Sequence, residues 1–128
     1  MAVTHSTAFR NTTADSHTTA LGASPRLVFR LAGTVGAPGA AAATLVMAVT
    51  PFGAAVTGVA TAAAIASDTN AAGNASPVAT ATLQTSAAVV VSHCAVAASG
   101  SDINMTGGLT IGAGDTVSCS ALTYTAPA

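Results

Sequence analysis

The chain has no lysine, no glutamate and no tryptophan. Its ionic side chains are Arg10, Arg26, Arg30, Asp15, Asp68, Asp102 and Asp115, so charged residues make up 5% of it, where an ordinary soluble domain carries about 25%. A formal net charge of -1 excludes the basic field on which nucleic-acid binding depends. Aromatic residues are only 3%, too few for stacking platforms. Two cysteines, Cys94 and Cys119, do not make a disulfide-rich scaffold. Long apolar runs are also missing: 31–67 is free of ionic residues, but Gly33, Gly36, Pro38, Gly39, Pro51, Gly53 and Gly58 interrupt every window of the roughly 20 residues that a spanning helix needs, which argues against the membrane. Residues 1–20 carry His5, Arg10, Asn11, Asp15 and His17 and form no apolar segment of the signal-peptide kind.

What is present is small. Hydrophobic residues reach 51%, mainly Ala with Val and Leu, so 128 residues suffice for one domain with a thin core. Such a monomer is expected to be marginal and to gain stability by packing against copies of itself or another protein. Low charge points the same way, because it gives little electrostatic protection against association. Compositional drift toward Ala and Thr accounts for part of the bias, but an uncharged Ala/Thr surface stays soluble best when it is occupied.

Residues 1–24 read as an N-terminal helix or extended arm and 25–128 as a single β domain. The helix would run over 4–21, with Thr4 or Ser6 as N-cap, Gly22 as the stop, and Ala8, Thr12, Asp15 and Thr19 near one face. Its apolar stripe is weak and its Thr pairs are poor helix formers, so an arm that orders only against a neighbouring subunit is the alternative. In 26–31, Leu27, Phe29 and Leu31 alternate with Arg26, Val28 and Arg30, which predicts a half-buried strand with both arginines on its outer face. A Gly/Ala/Pro loop over 32–43 precedes an apolar run at 45–49. Residues 54–66 fit helix or strand; Gly58 and the threonines favour strand. Residues 68–77 are turn-forming, and 78–85, 89–97, 109–111 and 116–125 read as further strands separated by glycine-rich turns. In the last of these, Val117, Cys119 and Ala121 share one face. The expected class is mainly β, an antiparallel β-sandwich or jelly-roll-like domain preceded by one short helix or arm.

Three groups of segments carry a resemblance. They are Thr7-Ala8-Phe9-Arg10-Asn11 with Ala14-Asp15; Pro51-Phe52-Gly53-Ala54-Ala55 with Gly58-Val59-Ala60-Thr61-Ala62 and 65–69; and Gly100-Ser101-Asp102-Ile103-Asn104 with Gly114-Asp115-Thr116-Val117. Together, over most of the chain, they resemble a family of small Ala/Thr-rich virion structural proteins of tailed bacteriophages. The resemblance implies a non-enzymatic role, foremost a capsid decoration or cement protein on the outer surface of the virion shell, assembled in the host cytoplasm. It implies the major capsid protein as partner and self-association, as a trimer at local three-fold positions. A tail or neck component is the alternative. The chain departs from the family at 79–91, where an arginine and more charge are expected and none is present.

No catalytic, cofactor or metal site emerges. His5, His17 and His93 do not lie at ligand spacing, and solvated or capping roles suit them and the four aspartates. Ser118 and Ser120 flank a cysteine rather than sitting in a glycine-flanked nucleophile elbow. Asp102 with Asn104, and Asp115, supply too few oxygens for a Ca²⁺ loop, and turn capping explains them. Cys94 and Cys119 fall on neighbouring expected strands, so a disulfide is open if their Cα atoms come within ~7 Å, whereas cytoplasmic assembly favours free thiols. The threonines Thr80, Thr82 and Thr85 raise a second alternative, a flat ligand-binding face for carbohydrate or ice, against which stand the absence of a fixed period and of stacking aromatics.

Overall fold

Ser6 opens the helix α1 (Thr7–Leu21) by accepting a hydrogen bond from the Phe9 amide at 3.2 Å, and Gly22, at φ 71°, closes it. The coordinates are a computed structural model that describes residues 3–127. Hydroxyls of Thr12, Thr13, Ser16 and Thr19 donate to the carbonyl four residues earlier, which satisfies polar groups without adding helix stability. That stability comes from docking. Ala14, His17 and Leu21 are buried, a stripe at i, i+3 and i+7. Ala8, Thr12, Asp15 and Thr19, noted above as sharing a face, are all exposed. The segment is not an arm awaiting a neighbour, since α1 lies on its own domain against β3 and β5.

The strands are β1 (Arg26–Arg30), β2 (Ala41–Val46), β3 (Val59–Thr61), β4 (Thr80–Gln84), β5 (Val90–Ala97), β6 (Ile103–Asn104) and β7 (Thr123–Thr125). The chain is thus mainly β with one short N-terminal helix, as its period-two patterning predicts. The main sheet has the order β2-β1-β4-β5-β6, antiparallel except for the parallel β5–β6 pair, and β3 pairs with β7 in a small antiparallel sheet. This strand order does not by itself trace a sandwich or jelly roll; the mixed sheet curls.

Strand β1, flanked by β2 and β4, turns Leu27 and Phe29 into the core, opposite Leu45 and Ala43 on β2 and Leu83 and Ala81 on β4. Its other face carries Arg26, Val28 and Arg30 as expected, but it is not open. Val28 is 2% exposed, and Thr82 beside it 0%. The Arg30 guanidinium covers this face, donating to Thr82 Oγ1 at 3.0 Å, Gln84 Oε1 at 2.9 Å and the Gly39 carbonyl at 3.0 Å.

The outer edge of β2 is closed by the segment after β3. Thr44 N donates to Asp68 Oδ2 at 2.9 Å, while Gly73 N and Ala66 N donate to the carbonyls of Ala42 and Val46. That covering segment bonds in turn to the chain near the C-terminus, through Asp68 with Val117 and Ala71 with Gly114 and Asp115. Gly73, at φ 72°, makes the crossing possible, because an added Cβ would collide with the Ala113 amide nitrogen.

Several elements differ from expectation. The strand expected at 45–49 forms earlier, because Ala41 and Ala43 find partners on β1, with Ala42 at a register shift between them. Residues 109–111 are not a strand; carbonyls of Leu109 and Ile111 accept from Val78 and Asn74 amides, both at 2.8 Å. Of 116–125 only Thr123–Thr125 joins a ladder. The 54–66 region turns at Thr57-Gly58, with φ of 50° and 79°, between mutually bonded Val56 and Val59, the two-residue hairpin geometry that matches strand twist.

Candidate functional site

His17 is the side chain that sequence reasoning placed least well. Far from being solvated or a cap, it is 9% exposed. Its ring stacks on Tyr124 of β7 with centroids 3.8 Å apart and planes 3° from parallel, and meets Phe52 edge-on at 6.0 Å. Nε2 hydrogen-bonds with Ser92 Oγ on β5, so one imidazole joins the helix to both sheets. Burial lowers its pKa from 6.5, favouring the neutral ring. The available signal was its helical spacing, three residues after Ala14 and four before Leu21.

A serine on a histidine suggests nucleophilic chemistry, which needs a group orienting the base and access for substrate. His17 Nδ1 is buried with no partner, and neither His17 nor Ser92 lines the cleft between 102–108 and 115–123 or the smaller one between 62–65 and 119–122. The pair is a structural clasp. Around it, the Asp15 carboxylate accepts from Ala55 N at 2.8 Å and the Asn11 side-chain oxygen from Gly58 N at 2.7 Å. Arg10 reaches the Ala126 carbonyl at 3.5 Å.

Every aspartate caps backbone: besides Asp15, Asp68 accepts from Thr44 and Asn70 amides, Asp102 from Ala95 and Asp115 from Gly112. The arginines bond neutral oxygens, Arg26 those of Ser24 and Pro25. Among the described residues no three metal-ligating side chains converge, and no helix is long and apolar enough to cross a membrane. His5 packs on Phe9 with centroids 4.8 Å apart. His93 is half-buried opposite Thr82, its Nε2 without a partner.

Both cysteines are free thiols. Burial pushes Cys94 up to about 11, with Asp102 adding to it and the Ala81 carbonyl opposing. Burial also raises Cys119, against its bond to the Ala121 carbonyl. Neither is poised as a thiolate at neutral pH. Cys119 lies in the larger cleft, about 520 Å³, between 102–108 and 115–123 with Phe29 beneath. Thr80 and Thr82 are buried and so present no flat threonine face.

Comparison with family models, with curated proteins and with solved structures finds no match.

Proposed function

We propose that the chain is a non-enzymatic structural protein of a tailed-phage virion, a capsid decoration protein lying on the outside of the major capsid shell. The observation that carries this reading is that the few charges are all engaged locally, in capping and bracing the chain's own backbone and neutral side chains. All seven ionic side chains bond backbone groups or neutral side chains of the same domain. Apart from exposed Asp15, Asp102 and Asp115, the exposed surface is mainly Ala, Thr, Ser and Gly, with exposed valines such as Val46, Val49, Val56 and Val89. A surface of that kind suits broad contact with neighbouring subunits better than steering or catalysis of a small molecule. The sequence resemblance supplies the virion, and closed association, as trimers at local three-fold positions, keeps a low-charge surface from open-ended aggregation. The test is to add purified chain to heads assembled without it from the genome that encodes it. Saturable binding that makes the heads release DNA at higher temperature is expected. Binding to tails with none to heads would overturn the head assignment and support the tail or neck alternative.

A further inference from the structure

We infer that α1 exchanges between copies of the chain, so that in the self-associated protein the groove α1 fills at home is filled by the α1 of a second copy. The contacts that hold the helix in that groove go to residues distant in sequence. Asp15 bonds the Ala55 amide and Asn11 the Gly58 amide, Arg10 reaches the Ala126 carbonyl, and His17 meets Phe52, Ser92 and Tyr124. A second copy offers the same groups in the same places. The occupant is therefore fixed by the fit already present, in these bonds and in the burial of Ala14, His17 and Leu21. A helix of 15 residues is marginal in water by itself, so α1 needs a groove, its own or a copy's.

What separates the two arrangements is the hinge between α1 and β1. Pro25 belongs to the β domain, its side chain fully buried and its carbonyl accepting from the Met47 amide at 2.9 Å, which leaves 22–24 as the hinge. Gly22 and Ala23 are exposed. Ser24 has φ 48°, a left-handed conformation that is strained for a residue with a Cβ, and Pro25 after it favours extended backbone at Ser24 instead. The turn that folds α1 onto its own domain is thus held against local preference by the docking of the helix. Turning Ser24 to an extended φ of about −120° swings a rod about 22 Å long out of its groove and leaves 25–128 unchanged. Exchange restores every docking contact and removes the strained turn from each copy. It is favoured by the hinge and opposed by the entropy of association, so it depends on concentration. Two copies exchanging, or three in a ring, leave no groove empty. The inference deepens the self-association in the function proposed above and rests on that part of it alone. Chains that exchange yet never bind heads would refute the function and leave the exchange intact.

The test reads the hinge and the groove separately, on chain refolded from urea over a wide range of concentrations. Sedimentation should show Ser24→Gly, which accepts a positive φ, associating about tenfold or more weakly than wild type, because two hinges per pair no longer favour exchange. Ser24→Val, which resists a positive φ, should associate more tightly, with circular dichroism of both variants like that of wild type. In a Cys94→Ser, Cys119→Ser background, Asp15→Cys with Ala55→Cys puts one thiol on the helix and one on the groove wall it touches. Oxidation should bridge them within the chain in the monomer fraction and between chains in the associated fraction, giving covalent multimers on a denaturing, non-reducing gel. Bridges confined to single chains in the associated fraction, equal association of the glycine and valine variants, or a wild type and valine variant that both stay monomeric would each overturn the inference.

Discussion

Acidification should loosen the docking of α1 through one residue. His17 has a folded-state pKa below 6.5 because its ring is buried between Tyr124, Phe52 and Ser92 with no partner at Nδ1. Two features oppose that shift: a cation is attracted to the stacked Tyr124 face by about 0.5–2 kcal/mol, and the helix dipole favours positive charge near its C-terminus. Desolvation outweighs both, since the only carboxylate on α1, Asp15, is held by the Ala55 amide. The unfolded chain therefore binds a proton at His17 more readily than the folded one, and stability rises with pH in this window. The contribution is fully present above about 6.5 and is lost as pH falls toward the folded-state value, with a slope that one titrating group caps at about 1.4 kcal/mol per pH unit. At this chain length that ceiling corresponds to roughly 3–6 °C in Tm per pH unit. Urea and thermal melts of wild type and His17→Gln, run from neutral to mildly acidic pH, isolate the effect, because the variant should be less stable at neutral pH and have a flatter profile. Identical slopes in the two proteins, or a wild type that gains stability on acidification, would refute the reasoning.

Three further outcomes follow from the packing. Arg30→Ala should cost about 1–3 kcal/mol in urea denaturation by stripping Gln84 and Thr82 of their charged partner, and Arg30→Lys should restore only part, lacking the planar fork. Gly73→Ala should cost at least about 1–3 kcal/mol through its positive φ and the collision with Ala113, while Gly107→Ala, with open space around it, should be nearly neutral. In a Cys119→Ser background, alkylation of Cys94 should be slow at neutral pH and climb close to tenfold per pH unit until near its pKa of about 11; a rate that levels off near pH 8 would contradict the burial argument.

The legible parts of the fold are those where side-chain chemistry differs from the Ala/Thr background. Ser6 and Gly22 mark the helix ends, alternation around Leu27 and Phe29 marks β1, and Thr80–Gln84 and Val90–Ala97 appear almost where period-two patterning puts them. Alanine hides the rest. Ala41–Val46 has no contrast between its faces in sequence, so pairing with β1 decides where that strand starts. The inward face of the helix was not legible, because its apolar stripe is weak and one of its three buried positions, His17, is polar. Turn capping by the aspartates was readable from residue type, since a short carboxylate beside glycine or asparagine bonds local amides. The cleft was not, because its walls come from 102–108 and 115–123 and meet only through the curl of the sheet.

Cryo-electron microscopy of the virion tests the central claim most directly. Under the function proposed above, density for this chain is expected on the outer surface of the shell, in many copies around local three-fold positions. Density confined to the tail tube, baseplate or fibres, with none on the shell, would contradict it.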